Sequence, residues 1–378
     1  MSNPDLIDTL IALPAGSPVH TVRHQRDKVV AATQGSYQAL FDPALAGLSV
    51  AERLLTARHI ARLADSEVLA KHYHERLKAL PDLAPAEQAA LAGQAPDARL
   101  RAVFDFARTL TERPVEGDQA ALFKLTAAGL ETAEVIALTQ LIAFVAYQLR
   151  VLAGLQALQA LSSDAAVTAL APETAPFVHP AGLPKPGEPV RVKGFTSESL
   201  EWKAWLPVLA LDQATPEQLA ILESSHPTAK SSDYYLLLAH QPRILEQRSI
   251  VFNAIMYAPG GLSRAERELA SAAVSRINGC VYCAAVHAQR FEQLTKRNDV
   301  IVQLFDSPET AGTTARERAI VQASMALTMA PAQFGAGQLQ ALRSVGLSTL
   351  EILDLIHATA IFAWANRLML NLGEPVFP

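Results

Sequence analysis

The sequence predicts an all-α protein made of two tandem helical bundle units joined by a proline-rich linker. Three observations carry this. Alanine and leucine dominate the 378 residues while alternating β-branched runs are scarce, which favours helices. Apolar residues recur at helical spacing in the patterned stretches. The chain also repeats itself, since Gly47 to Leu55 reads GLSVAERLL and Gly261 to Leu269 reads GLSRAEREL, at an offset of 214. Further on, Arg101-Ala102, Leu110-Thr111, Pro114, Gly129-Leu130, Thr132 and Glu134 recur at an offset of 217 as Arg318-Ala319, Leu327-Thr328, Pro331, Gly346-Leu347, Thr349 and Glu351. Each copy then runs into a long apolar helix ending in an arginine, Arg150 and Arg367.

In chain order, the net charge of −5 and pI near 6.1 argue against nucleic acid or an anionic membrane as partner. Residues 1–20 lack a basic segment followed by an apolar core, so no signal peptide is expected. The most apolar run, Ile136 to Val151, is interrupted by Thr139, Gln140, Gln148 and Arg150 and suits a buried helix better than a membrane span. Two thiols and no export signal lead to the expectation of a cytoplasmic, reduced protein. Residues 1–161 form the first unit. At an offset of 214 it places Leu54, Ser66, Leu69 and Tyr73 where the second copy has Glu268, Cys280, Cys283 and His287, so no nucleophile survives there. His59, His72 and His74 lie nearby, but His72 and His74 are two apart, do not share a helix face and are expected to pack or face solvent. Residues 162–194 carry six prolines from Pro172 to Pro189 and read as the linker. Residues 195–378 form the second unit. Trp202 and Trp205 are expected to pack, and Tyr234-Tyr235 to precede the motif as packing or as the mouth of the site.

The motif itself runs from Gly261 to Phe291 and holds the only two cysteines. Ser263 with Glu266 forms a capping box, and Leu269, Ala272, Ala273 and Ile277 give the helical period. Asn278-Gly279 closes that helix, because glycine takes the left-handed conformation without steric cost. A second helix starting near Cys280 carries Cys283, His287 and Phe291 on one face. Cys280 then sits at the cap and Cys283 in the first turn, where free backbone N–H groups favour a thiolate. Folded back as an antiparallel pair, the helices put Glu268 about 16 Å and His287 about 12 Å from the turn, at roughly 1.5 Å per residue. The two are level, so the carboxylate can orient the imidazole. A closed zinc site takes four Cys/His ligands and no second C-x-x-C exists, so no metal is expected. No βαβ context supports a thioredoxin-type reading. In the last helix Ile352, Leu355, Ile356, Thr359, Phe362 and Ala363 form an apolar stripe. His357, Trp364, Asn366 and Arg367 stand out from it, with His357 expected to be partly buried and hydrogen-bonded.

The pattern of Glu268, eleven residues, Cys280-x-x-Cys283, three residues and His287 resembles the alkylhydroperoxidase D-like (AhpD-like) branch of the carboxymuconolactone decarboxylase superfamily. The resemblance implies an all-helical fold and a cofactor-independent thiol peroxidase. Cys283 would be oxidised by a hydroperoxide to a sulfenic acid, Cys280 would donate a proton and resolve it to a disulfide, and Glu268 with His287 would relay protons. It also implies a dithiol reductant such as a lipoyl protein, and a homo-oligomer, with a trimer favoured. Some members have histidine between the cysteines where this chain has Tyr282. Two other readings stay open. One is a decarboxylase acting on a lactone without the cysteine pair; the other is a non-catalytic redox-sensing assembly.

Overall fold

The computed structural model describes residues 5–163 and 181–377. Their regular elements are helices apart from two small antiparallel ribbons, so the all-α expectation holds. The prolines from Pro172 to Pro180 lie outside the described residues. The principal helices of the first unit are α1 (Asp27–Leu40), α2 (Val50–Leu63), α3 (Glu67–Lys78), α4 (Ala98–Glu112), α5 (Gln119–Ala127) and α6 (Thr132–Ser163). Those of the second are α7 (Pro242–Met256), α8 (Arg264–Ile277), α9 (Val281–Thr295), α10 (Ala315–Met329), α11 (Ala336–Ser344) and α12 (Thr349–Asn371).

Equivalent sequence makes equivalent local structure. Ser49 and Ser263 each cap their helix in a capping box with the glutamate three residues on, Glu52 and Glu266. Arg99 bridges Glu52 (2.9 Å) to Glu134 (2.7 Å), tying α4 to α2 and α6. At the matching place Arg316 bridges Glu266 to Glu351. The helical repeat legible in the letters is therefore a repeat of contacts as well.

The two units do not sit side by side as separate cores. α6 packs along α12 and α1 along α7, so equivalent helices pair with each other. That is the arrangement of an isologous, two-fold dimer, here within one chain. Gly154 allows the close approach of the long helices, since a Cβ there would lie 2.3 Å from Ile356 Cγ2. Trp364 fills the seam: fully buried, it donates to Gln140 Oε1 (2.8 Å) and sits against Phe144 and Tyr147 at centroid distances of 5.3 and 5.7 Å. Truncation there should cost about 3–5 kcal/mol. Denaturant unfolding of Trp364→Ala is expected to show that loss, and an unchanged midpoint would mean that the seam is dispensable.

The two matched arginines are exchanged between units, although Arg150 does not end its helix as expected, since α6 runs on to Ser163. Arg150 of α6 donates to Thr328 O at the end of α10, and Arg367 of α12 donates to Leu110 O and Thr111 O at the end of α4. Each guanidinium thus caps the last carbonyls of a helix in the other unit, where the macrodipole is negative. The amino-terminal arm crosses over too. Arg26 reaches buried Asp354 on α12 with two 2.7 Å bonds, and Arg267 joins the same carboxylate at 2.7 Å.

α6 is long and apolar enough to cross a membrane by length and composition, but its apolar window is wholly buried in the protein. At the other end of the chain Glu201–Ala204 pairs with Gly373–Val376, and Trp202 donates to Met369 O (2.9 Å). Trp202 therefore packs, as its spacing suggested.

Candidate active site

α8 and α9 form the antiparallel pair that carries the motif. Gly279 makes the turn at φ +78°, and a Cβ there would come within 3.0 Å of Val115 from the first unit. The first unit therefore walls the motif turn. Cys280 is the N-cap residue of α9, its N–H donating to Ser275 O (2.8 Å), and Cys283 lies in the first turn. Both are free thiols and almost closed to solvent.

Glu268 on α8 and His287 on α9 meet. Glu268 Oε2 lies 2.5 Å from His287 Nδ1, so the ring presents its other nitrogen on the opposite edge. Glu268 is fully buried, and its second oxygen accepts from Arg264, one turn earlier on α8. Burial raises the Glu268 pKa, but the imidazole and then the guanidinium outweigh it and hold the carboxyl below its ordinary range. Phe362 of α12 meets the His287 ring edge-on at 4.3 Å and fixes its tilt.

The thiols themselves behave differently from a simple helix-terminus argument. That argument favours a thiolate at the cap, yet burial and then the neighbouring Cys283 push the Cys280 thiol well above its ordinary pKa. The dipole loses here because a cap closed to water takes the full desolvation penalty of an anion. Cys280 is therefore a thiol that holds its proton. Behind it runs a polar chain: Asn278 donates to Asn366 Oδ1 (3.0 Å), and Asn366 donates to Ser275 Oγ (3.1 Å) and also hydrogen-bonds Cys280.

One neighbour, Arg264, was not legible as a site residue. It has no signal beyond its i, i+4 spacing to Glu268. Tyr234 is buried, not at a mouth, and its hydroxyl has no partner among the described residues. Burial, and further down Cys283 and Cys280, raise its pKa, which places it in the electrostatic reach of both sulfurs. Tyr282 is half-buried, and burial followed by Cys283 raises it likewise. His59 stacks on Phe104 and His72 bonds Tyr37, as packing residues do. His357 is more deeply buried than expected, burial pushing it down to about 3, and its Nδ1 lacks a partner among the described residues. In the first unit Leu54, Leu69 and Tyr73 fill the equivalent space, and Tyr73 donates to Gln148 instead of contacting a carboxylate.

Fold and site together define an all-helical tandem protein with a buried dithiol beside a carboxylate–imidazole pair. Residues 242–326, from the start of α7 into α10, match the carboxymuconolactone decarboxylase family, so the resemblance read from the motif holds over that segment. A comparison with curated proteins finds no match. Similar solved structures include an uncharacterized peroxidase-related protein with an alkylhydroperoxidase AhpD core from Ralstonia eutropha, at 26% identity over 45% of this chain and 88% of that one, TM-score 0.38. Another is an uncharacterized peroxidase-related protein from Silicibacter, at 24% identity over 42% and 86%, TM-score 0.36.

Proposed function

We propose that the protein is a cytoplasmic thiol peroxidase of the AhpD-like type. The observation that carries this reading is the buried Glu268–His287 pair on the two helices that also bear the dithiol, with Cys283 one turn from His287 on the same helix. His287, held by Glu268, takes the Cys283 proton. The thiolate attacks the distal peroxide oxygen, the O–O bond breaks, and the leaving alkoxide takes a proton from the Cys280 thiol. Cys280 then attacks the sulfenic sulfur. The S–O bond breaks, hydroxide leaves as water with the proton held by His287, and a disulfide forms. Two thiols and a hydroperoxide thereby become a disulfide, an alcohol and water. A dithiol reductant, of the lipoyl-protein class in this reading, reopens the bond, and no cofactor is needed.

The decarboxylase reading rests on the family description alone, and retained activity on a lactone after replacing both cysteines would favour it. The test of the main reading is stoichiometric. Reduced protein mixed with excess organic hydroperoxide should lose two thiols per chain and two hydrogens by mass, with one alcohol formed. Thiols left intact would reject it. A homo-oligomer, three chains supplying six units, belongs to the same proposal, and light scattering showing a monomer would remove it.

A further inference from the structure

A cavity of ≈ 680 Å³ lies between the units, and its lining pairs equivalent residues: Thr111 with Thr328, Pro114 with Pro331, Arg150 with Arg367. It therefore sits on the pseudo-two-fold axis. Neither thiol lines it. Its floor holds the two exchanged arginines, 5% and 2% exposed. Of the five N–H donors on a guanidinium, Arg150 gives two to the carbonyls of Ala146 and Thr328, and Arg367 three to those of Leu110, Thr111 and Ala363. Arg150 Nε is buried with no partner among the described residues.

The charge does not balance at this floor. Every partner of either guanidinium among the described residues is a backbone carbonyl. The two helix ends they cap offer roughly half a negative charge each, against two full positive charges. Burial pushes Arg150 down to about 10, and burial followed by Arg150 lowers Arg367 as well, so each cation is short of a counter-charge. The carboxylates lining the cavity, Asp65, Glu112 and Glu116, are exposed, and Glu116 pairs with Arg113 at 2.9 Å. Ala146, Leu149 and Ile277 give the lining apolar surface, and the exposed Met329 adds an apolar side chain at its edge.

We infer that this cavity binds a small organic monocarboxylate, its carboxylate on the Arg150–Arg367 floor and its apolar body against Leu149, Ile277 and Met329. One excess positive charge matches a monoanion, the acidic rim disfavours a dianion such as phosphate, and the apolar surface requires a carbon body. The site is separate from the peroxidase reading, because it uses none of Glu268, Cys280, Cys283 and His287.

The test is titration of the full-length protein with benzoate and, separately, with inorganic phosphate, by calorimetry and thermal unfolding. Benzoate should bind once per chain and raise the unfolding temperature. Arg150→Gln and Arg367→Gln should each weaken it at least about tenfold, the loss of a charged hydrogen-bond partner, and phosphate should bind more weakly than benzoate. Since a buried arginine variant can fail to fold, wild-type crystals are also soaked with para-iodobenzoate, whose iodine should appear inside the cavity near Leu149. Absence of benzoate binding to the wild type, unchanged affinity in both folded variants, tighter binding of phosphate, or iodine located elsewhere would each overturn the assignment.

Discussion

Replacing Cys283 by serine should abolish hydroperoxide turnover, with a loss on the order of 10³-fold or more, because the attacking sulfur is gone and no other thiol is positioned to replace it. The Cys280→Ser variant should differ in kind. It retains Cys283 with His287 one turn away, so a single oxidative event is expected to leave a sulfenic acid that a dimedone-type reagent traps at Cys283. The raised pKa of Cys280 explains the asymmetry, since a thiol that holds its proton is a poor first nucleophile and a good proton donor to the leaving alkoxide. Peptide mass mapping of the adduct decides the matter. An adduct on Cys280 in the Cys283→Ser protein, at the rate of the wild type, would reverse the roles.

Disabling the proton pair should cost about 10²- to 10⁴-fold in turnover, and its pH behaviour separates a relay from a brace. Glu268→Gln removes the charge that supports an imidazolium at His287, so the apparent pKa for thiol alkylation should rise, and His287→Gln should do the same. Stability gives a second readout. The folded Glu268 carboxyl titrates below its ordinary value of 4.5, so its contribution is complete above that pH and is lost as pH falls through the folded value. Glu268→Gln should therefore be less stable than wild type at neutral pH, by about 3 kcal/mol for breaking a buried ion pair, and the gap should close as pH falls through the lowered pKa of the folded carboxyl. An alkylation profile unchanged in both variants, beside that stability loss, would leave the pair as structural only.

Much of the site was legible because it is local. Glu268 and His287 lie on one helical hairpin whose cap, period and Gly279 turn are all written in adjacent letters, so counting residues from the turn makes them level. The same locality revealed the repeat, since capping boxes at Ser49 and Ser263 are short patterns that survive divergence. The cysteine energetics were not legible. Whether a helix cap favours a thiolate depends on how much water reaches it, and that is decided by α12, the Tyr234 segment and Val115 of the other unit.

The sequence by itself determined the all-helical class, the motif hairpin, the duplication, and which unit keeps the dithiol, because periodicity, capping and residue identity act over a few turns. The tertiary structure alone decided how the two units interlock. Arg26 finds Asp354, Arg150 finds Thr328, and Trp364 finds Gln140 across 178 to 328 residues of chain. Such partners leave no periodic trace in the letters. They are selected by the burial of two apolar helices against each other, which then forces every polar group caught in the seam to find a partner there.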